Sequence, residues 1–180
     1  MSNDAVAGDP IRFRDWPREG DEAAVRRMAE ATGFFRDDEV EVACELVRER
    51  LERGPASGYE FVFADGAGGE PLGYACFGPI PCTVGSFDLY WIVVDPGVQR
   101  RGLGGVLLAG AEQAARRAGG RRMYIETSSL SKYEPTRRFY ERAGYTLEAR
   151  MVDFYQPGDD KMIYGKVLVG GGAAGGVVPV

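Results

Sequence analysis

Apolar and polar positions change period along this chain, and the changes predict a succession of strands and helices. Ile11-Arg12-Phe13-Arg14 has the two-residue period of a short strand with outward arginines. Helical spacing follows over Asp21–Thr32 and Asp37–Arg53, joined through Gly33-Phe34-Phe35. Tyr59–Ala64 and Leu72–Phe77 read as a hairpin across the turn-rich Asp65-Gly66-Ala67-Gly68-Gly69. Leu89–Val94 is a continuous apolar run of the kind that forms a strand buried on both faces. Leu103, Leu107, Ala111, Ala114 and Ala118 then recur at helical spacing, up to a stop at Gly119-Gly120. Arg122–Thr127 is another strand, and Pro135 and Gly144 bracket a short helix. Leu147–Phe154 and Met162–Val167 make a closing hairpin across Gln156-Pro157-Gly158-Asp159-Asp160. The result is an α/β chain of about seven strands and four helices. Residues 1–10 are polar and residues 169–180 are rich in Gly, Ala and Val without periodicity, so a flexible start and a disordered tail are expected around a single domain over 11–168.

Composition narrows the function classes. At 180 residues the chain is long enough to bury a core without staples. A net charge of −5 argues against nucleic acid or an anionic membrane as an obligate partner. Cys44, Cys76 and Cys82 are odd in number and lack metal-type spacing, and there is no His, so neither a disulfide framework nor a zinc site is expected. The absence of a signal-type segment or a long apolar span points to the cytoplasm. Without a His partner, a cysteine nucleophile would lack its usual activator.

The most specific stretch is Gln99-Arg100-Arg101-Gly102-Leu103-Gly104, placed after an apolar strand and the turn Asp95-Pro96-Gly97 and at the head of a helix. The first turn of a helix has backbone N–H groups with no intrahelical partner, and the dipole there favours an anion. Gly102 and Gly104 leave room for its approach, and Arg100 and Arg101 add positive charge on an acidic protein. A P-loop would need Gly-Lys followed by Ser or Thr, and no Lys is near. A dinucleotide fingerprint would need a third Gly where Leu107 stands, and would ordinarily lie on the first strand.

The stretch from Val94 to Gly104 closely resembles the acyl-CoA loop of the GNAT family of N-acetyltransferases. Downstream, Phe139-Tyr140-Glu141-Arg142-Ala143-Gly144-Tyr145 resembles the family's second signature. The resemblance implies a mixed, mostly antiparallel sheet whose fourth and fifth strands splay to admit acyl-CoA. It also implies that Ile92, Val93 and Val94 pair with the pantetheine arm, and that Gln99 to Gly105 hold the pyrophosphate. Tyr140 then stands at the CoA sulfur, and Tyr133 occupies the place where many members have a pantetheine-binding Asn. Acetyl-CoA is the implied cosubstrate, with no metal, and the implied acceptor is a small-molecule or peptide amine; a homodimer is compatible with the family.

An amine with a reference pKa near 10.4 is neutral only about four times in ten thousand at pH 7, so transfer to it needs a base. With no His, carboxylates take that place. Asp88, ahead of Leu89, matches the acidic residue that many family members use, and Glu126 follows Ile125 on the neighbouring strand. Both lie within apolar strands, where burial would raise their proton affinity. Alternation puts Asp88, Tyr90, Ile92 and Val94 on one face. Phe34, Phe35, Tyr90 and Tyr155 are candidate walls for the acceptor. On the short helix, Phe139 is the more natural core residue and Tyr140 the functional one. A catalytically silent acyl-CoA-binding module is the alternative, since a sensor needs only the loop.

Overall fold

The two helical periods near the start fold over the residues that the spacing marks, α1 at Asp21–Thr32 and α2 at Asp37–Arg53. The computed structural model describes residues 11–98 and 102–168; the expectations for the two termini lie outside the described residues. The remaining strands and helices of the described residues are β1 (Arg12–Arg14), β2 (Glu60–Asp65) and β3 (Pro71–Pro79), then β4 (Ser86–Val94), α3 (Leu103–Arg117), β5 (Arg122–Ser128), α4 (Glu134–Arg142), β6 (Thr146–Gln156) and β7 (Asp159–Val167). All seven strands form one sheet in the order β1-β2-β3-β4-β5-β7-β6. The pairs β1/β2, β2/β3, β5/β7 and β6/β7 are antiparallel. The Gly85 carbonyl accepts from the Arg121 and Arg122 amides at 2.6 and 3.2 Å, so β4 and β5 start side by side. Neighbouring strands that start together run parallel, with α3 as the crossover. The sheet is therefore mixed and mostly antiparallel.

Backbone proximity divides the chain into two compact units, and β4 passes from one to the other between Asp88 and Leu89. In the first unit, α1 and α2 share a core with the sheet: Val25, Met28, Val47, Phe61, Phe63 and Tyr74 are almost fully buried. Leu107 of α3 lies close over Gly73, and Gly110 lies against Val62. Arg14 corrects the expectation of outward arginines. Its side chain is 10% exposed, it bridges Asp21 at 2.6 Å and Asp65 at 2.7 Å, and its guanidinium sits over the Phe63 ring. Phe13 is the exposed residue of the pair. The carboxylates of α1 and β2 decide this, since a buried guanidinium with paired, hydrogen-bonded partners is tolerated inside.

In the second unit, β7 lies between β5 and β6, pairing Glu126 with Ile163 on one side and Leu147 with Tyr164 on the other. The closing hairpin turns more tightly than the sequence suggests, because Asp159 and Asp160 belong to β7. Both are buried. Ser128 Oγ donates to Asp159 at 2.5 Å, while Asp160 accepts from the Asp153 amide at 2.8 Å and from Arg150. These acceptors draw what looked like turn residues into the sheet. Helix α3 ends as expected, with the amides of Gly119 and Gly120 donating back to the Arg116 and Ala115 carbonyls.

Candidate active site

The start of α3, the candidate anion site, is built from the chain leaving β4. The Asp95 amide donates to the Leu72 carbonyl at 2.8 Å, and its carboxylate accepts from the Gly97 amide at 2.9 Å, which fixes the turn. Gln99, Arg100 and Arg101 lie outside the described residues. Gly102 has φ +76°, a left-handed conformation that L side chains avoid, and its carbonyl accepts the first intrahelical bond, from Val106 at 3.3 Å. The amides of Leu103, Gly104 and Gly105 therefore have no partner within the helix. A Cβ at Gly102 or Gly105 would meet no atom within 4 Å, so open space stands before those donors. Leu103 itself is buried, so its contribution to an anion can only be its amide. Helix-start amides beside such glycines are the donor set that a phosphate takes.

Strand β4 departs from one expectation. Leu89–Val94 is not buried on both faces: Phe87, Leu89 and Val93 are buried, whereas Tyr90 is exposed and Trp91, Ile92 and Val94 are half-buried. Alternation itself holds: Phe87, Leu89 and Val93 are buried, while Asp88, Tyr90, Ile92 and Val94 fall on the more open side. Tyr90 meets Tyr59 edge-on at 5.6 Å, and Trp91 meets Phe35 at 4.8 Å; both partners pack against the α1/α2 core. Gly78 makes room here: a Cβ would stand 2.2 Å from the Gly58 carbonyl oxygen and 3.1 Å from the Tyr90 ring.

The carboxylates separate sharply. Asp88 is half-buried, and its proton affinity is pushed up to about 6, by burial first and then by the charge of Glu126, with Lys161 opposing. Glu126 is not desolvated as expected. Along β5, Met123, Ile125 and Thr127 turn inward, which leaves Glu126 outward, its side chain 47% exposed and bound to Lys161 Nζ at 2.6 Å. The fold thus brings Asp88, Glu126 and Lys161 into one electrostatic cluster.

Tyr140 and Phe139 exchange the places expected of them. Tyr140 is the buried residue of α4, among Phe139, Tyr145 and Tyr164 with ring centroids 5.3, 6.1 and 6.5 Å away, while Phe139 is half-buried. Burial alone holds the Tyr140 phenol far above its ordinary pKa. Helix α4 is anchored by Arg137, which donates to the carbonyls of Ser128 at 2.7 Å and Leu130 at 3.0 Å. Tyr133 ends a short 3-10 turn before α4, with Lys132 5.0 Å from its ring centroid. Of the proposed acceptor walls, Phe34 lies on the α1–α2 loop and is exposed, Phe35 packs into the core rim, and Tyr155 is exposed on β6 against Phe154 at 5.1 Å. Sequence reasoning missed Lys161 and Tyr59. For Lys161 there was a signal: it is one of only three lysines in an arginine-rich chain, and it opens an apolar strand.

The sequence model of the acetyltransferase (GNAT) family matches residues 15–145. A solved GNAT-family protein from Desulfovibrio desulfuricans is 49% identical, over 89% of this chain and 100% of that one, with a TM-score of 0.87. Two further solved structures share the fold at low identity. One is an aminoglycoside 6'-N-acetyltransferase complexed with coenzyme A, at 16% identity, TM-score 0.71, and coverage of 90% and 99%. The other is yncA from Salmonella typhimurium with its cofactor acetyl-CoA, at 20% identity, TM-score 0.69, and coverage of 93% and 99%. No curated protein matches the chain by sequence.

Proposed function

Because this chain belongs to the GNAT family of acetyltransferases, we propose that it moves the acetyl group of acetyl-CoA onto a primary amine of a small molecule or peptide. Attack is direct, and Asp88 takes the amine proton itself or through a held water. The observation that carries this reading is the half-buried Asp88, with its proton affinity near 6, on the strand that leads to the anion-binding end of α3. A carboxylate at its ordinary pKa is a weak base; one near 6 is still about 90% ionised at pH 7 and pulls harder on a proton.

Acetyl-CoA, when bound, supplies an activated thioester carbonyl. The chain's own groups do the rest. The amides of Leu103, Gly104 and Gly105 hold the pyrophosphate, with Gln99, Arg100 and Arg101 beside them. The half-exposed C-terminal part of β4, at Ile92 and Val94, suits a strand that splays from β5 and pairs with pantetheine amides. Tyr140 keeps its proton because it is buried, so it stabilises the departing sulfur by a hydrogen bond and not by giving the proton away. Tyr90 and Tyr59 form an aromatic wall that suits a cationic or apolar acceptor.

Release of free CoA thiol by the purified protein, followed across a panel of amines, tests the assignment. Amine-stimulated release is expected; acetyl-CoA binding with no stimulated release across the panel would establish the silent module instead. For Tyr140→Phe, kcat is expected to fall about 10- to 100-fold with little change in acetyl-CoA affinity. An unchanged kcat removes Tyr140 from the reaction.

A further inference from the structure

Lys161 is an unusual surface-strand lysine. Its side chain is only 14% exposed although its carboxylate partner is 47% exposed, so the ammonium is the more enclosed member of the pair. It projects from β7, where it pairs with Ser128 of β5 and with Met151 of β6. Its Nζ lies 2.6 Å from Glu126 Oε2 and 3.9 Å from the centroid of the Phe154 ring on β6. Glu126 pairs with Ile163, two positions along β7, so the contact is a diagonal one across a rigid ladder. A carboxylate and an aromatic face together fix an ammonium far better than an exposed ion pair does.

Resting on the reading of Asp88 as the base, we propose that Lys161 is a positioning residue of the acid–base site, holding the Glu126 carboxylate in place and setting the charge that Asp88 meets. Asp88 and Glu126 stand on neighbouring strands, β4 and β5, that start side by side where the Arg121 and Arg122 amides donate to the Gly85 carbonyl, and Lys161 is bound to Glu126; from there Glu126 makes Asp88 harder to ionise and Lys161 makes it easier. Removing the lysine deletes the second influence and unmasks the first. Asp88 then holds its proton to higher pH, and less of the base is available at neutrality.

The test is a carbon-detected NMR titration of the Asp88 carboxyl beside pH profiles of kcat in the same proteins. In Lys161→Met the Asp88 midpoint is expected to rise by about one pH unit, and in Glu126→Gln to fall by a similar amount. Lys161→Arg, which keeps the charge, should stay near the parent, and the Lys161→Met/Glu126→Gln double variant should return to it or just below. An Asp88 midpoint that stays put in Lys161→Met, in a protein whose melting curve shows it folded, overturns the proposal; should that variant not fold, an unmoved midpoint in Glu126→Gln does so. Midpoints that move while the kcat profile does not follow leave Lys161 in its role and sink Asp88 as the base instead.

Discussion

In Asp88→Asn, turnover is expected to fall by about two to three orders of magnitude, and the rate should lose its inflection near pH 6. With Asp88 as the proposed base, protonated below that pH and idle, kcat of the parent protein is expected to rise as pH passes through about 6 and then level. An amide cannot accept the proton, so the variant's profile stays flat there. A retained inflection in Asp88→Asn, with its loss in Glu126→Gln, would transfer the role to Glu126. The same substitution has a stability signature of opposite sign. The folded-state proton affinity of Asp88 lies above its unfolded value, so ionising it costs the folded state, a cost absent in acid and fully present above about pH 6. Asn escapes that cost. Allowing for the screening of a half-exposed group, the variant is expected to gain about 1 kcal/mol near pH 8 and nothing near pH 4. Denaturant midpoints at the two pH values would show it, and equal differences at both would contradict the assigned burial.

The second large effect concerns Lys166. Its Nζ donates to both oxygens of Glu112 at 2.8 and 2.9 Å and to the Ala143 carbonyl just past the end of α4 at 2.8 Å. One ammonium therefore ties β7 to α3 and to the C-terminal end of the helix that carries Tyr140. Glu112 is 6% exposed, and when the lysine is gone the nearest remaining cation is Arg116 at the longer distance of 3.3 Å among the described residues. Breaking a buried pair from one side leaves an undercompensated charge, so Lys166→Met is expected to cost about 2–4 kcal/mol. Replacing both partners, as Lys166→Met/Glu112→Met, should recover most of that loss, since the buried carboxylate leaves with its partner. A single-variant loss below about 1 kcal/mol in chemical denaturation would show the pair to be an ordinary surface contact.

Helix limits were legible because their signals are local. The bounds of α1 and α2 follow from the apolar period, and the stop of α3 from two glycines, with no knowledge of what those helices touch. The strand segments were legible for the same reason, to within a few residues. What each strand meets was not. Asp159 and Asp160 read as turn residues because their type favours turns, yet Ser128, Asp153 and Arg150 supply the partners that bury them. Arg14 turned inward toward two carboxylates that lie seven and fifty-one residues away in the chain. Phe139 seemed the better core residue by hydrophobicity, but the packing of Tyr145 and Tyr164 selected Tyr140.

By itself the sequence determined the family, the place of the glycine-rich start of α3 and the identity of Asp88 and Tyr140 as the residues to ask about, because short motifs and local periods carry that information. Tertiary structure decided which carboxylate is desolvated and which is solvated. It did so by inserting β7 between β5 and β6, which carried Lys161 across to Glu126. A two-residue period is the same whichever strand lies alongside, so pairing and register arise only from the summed fit of the whole sheet.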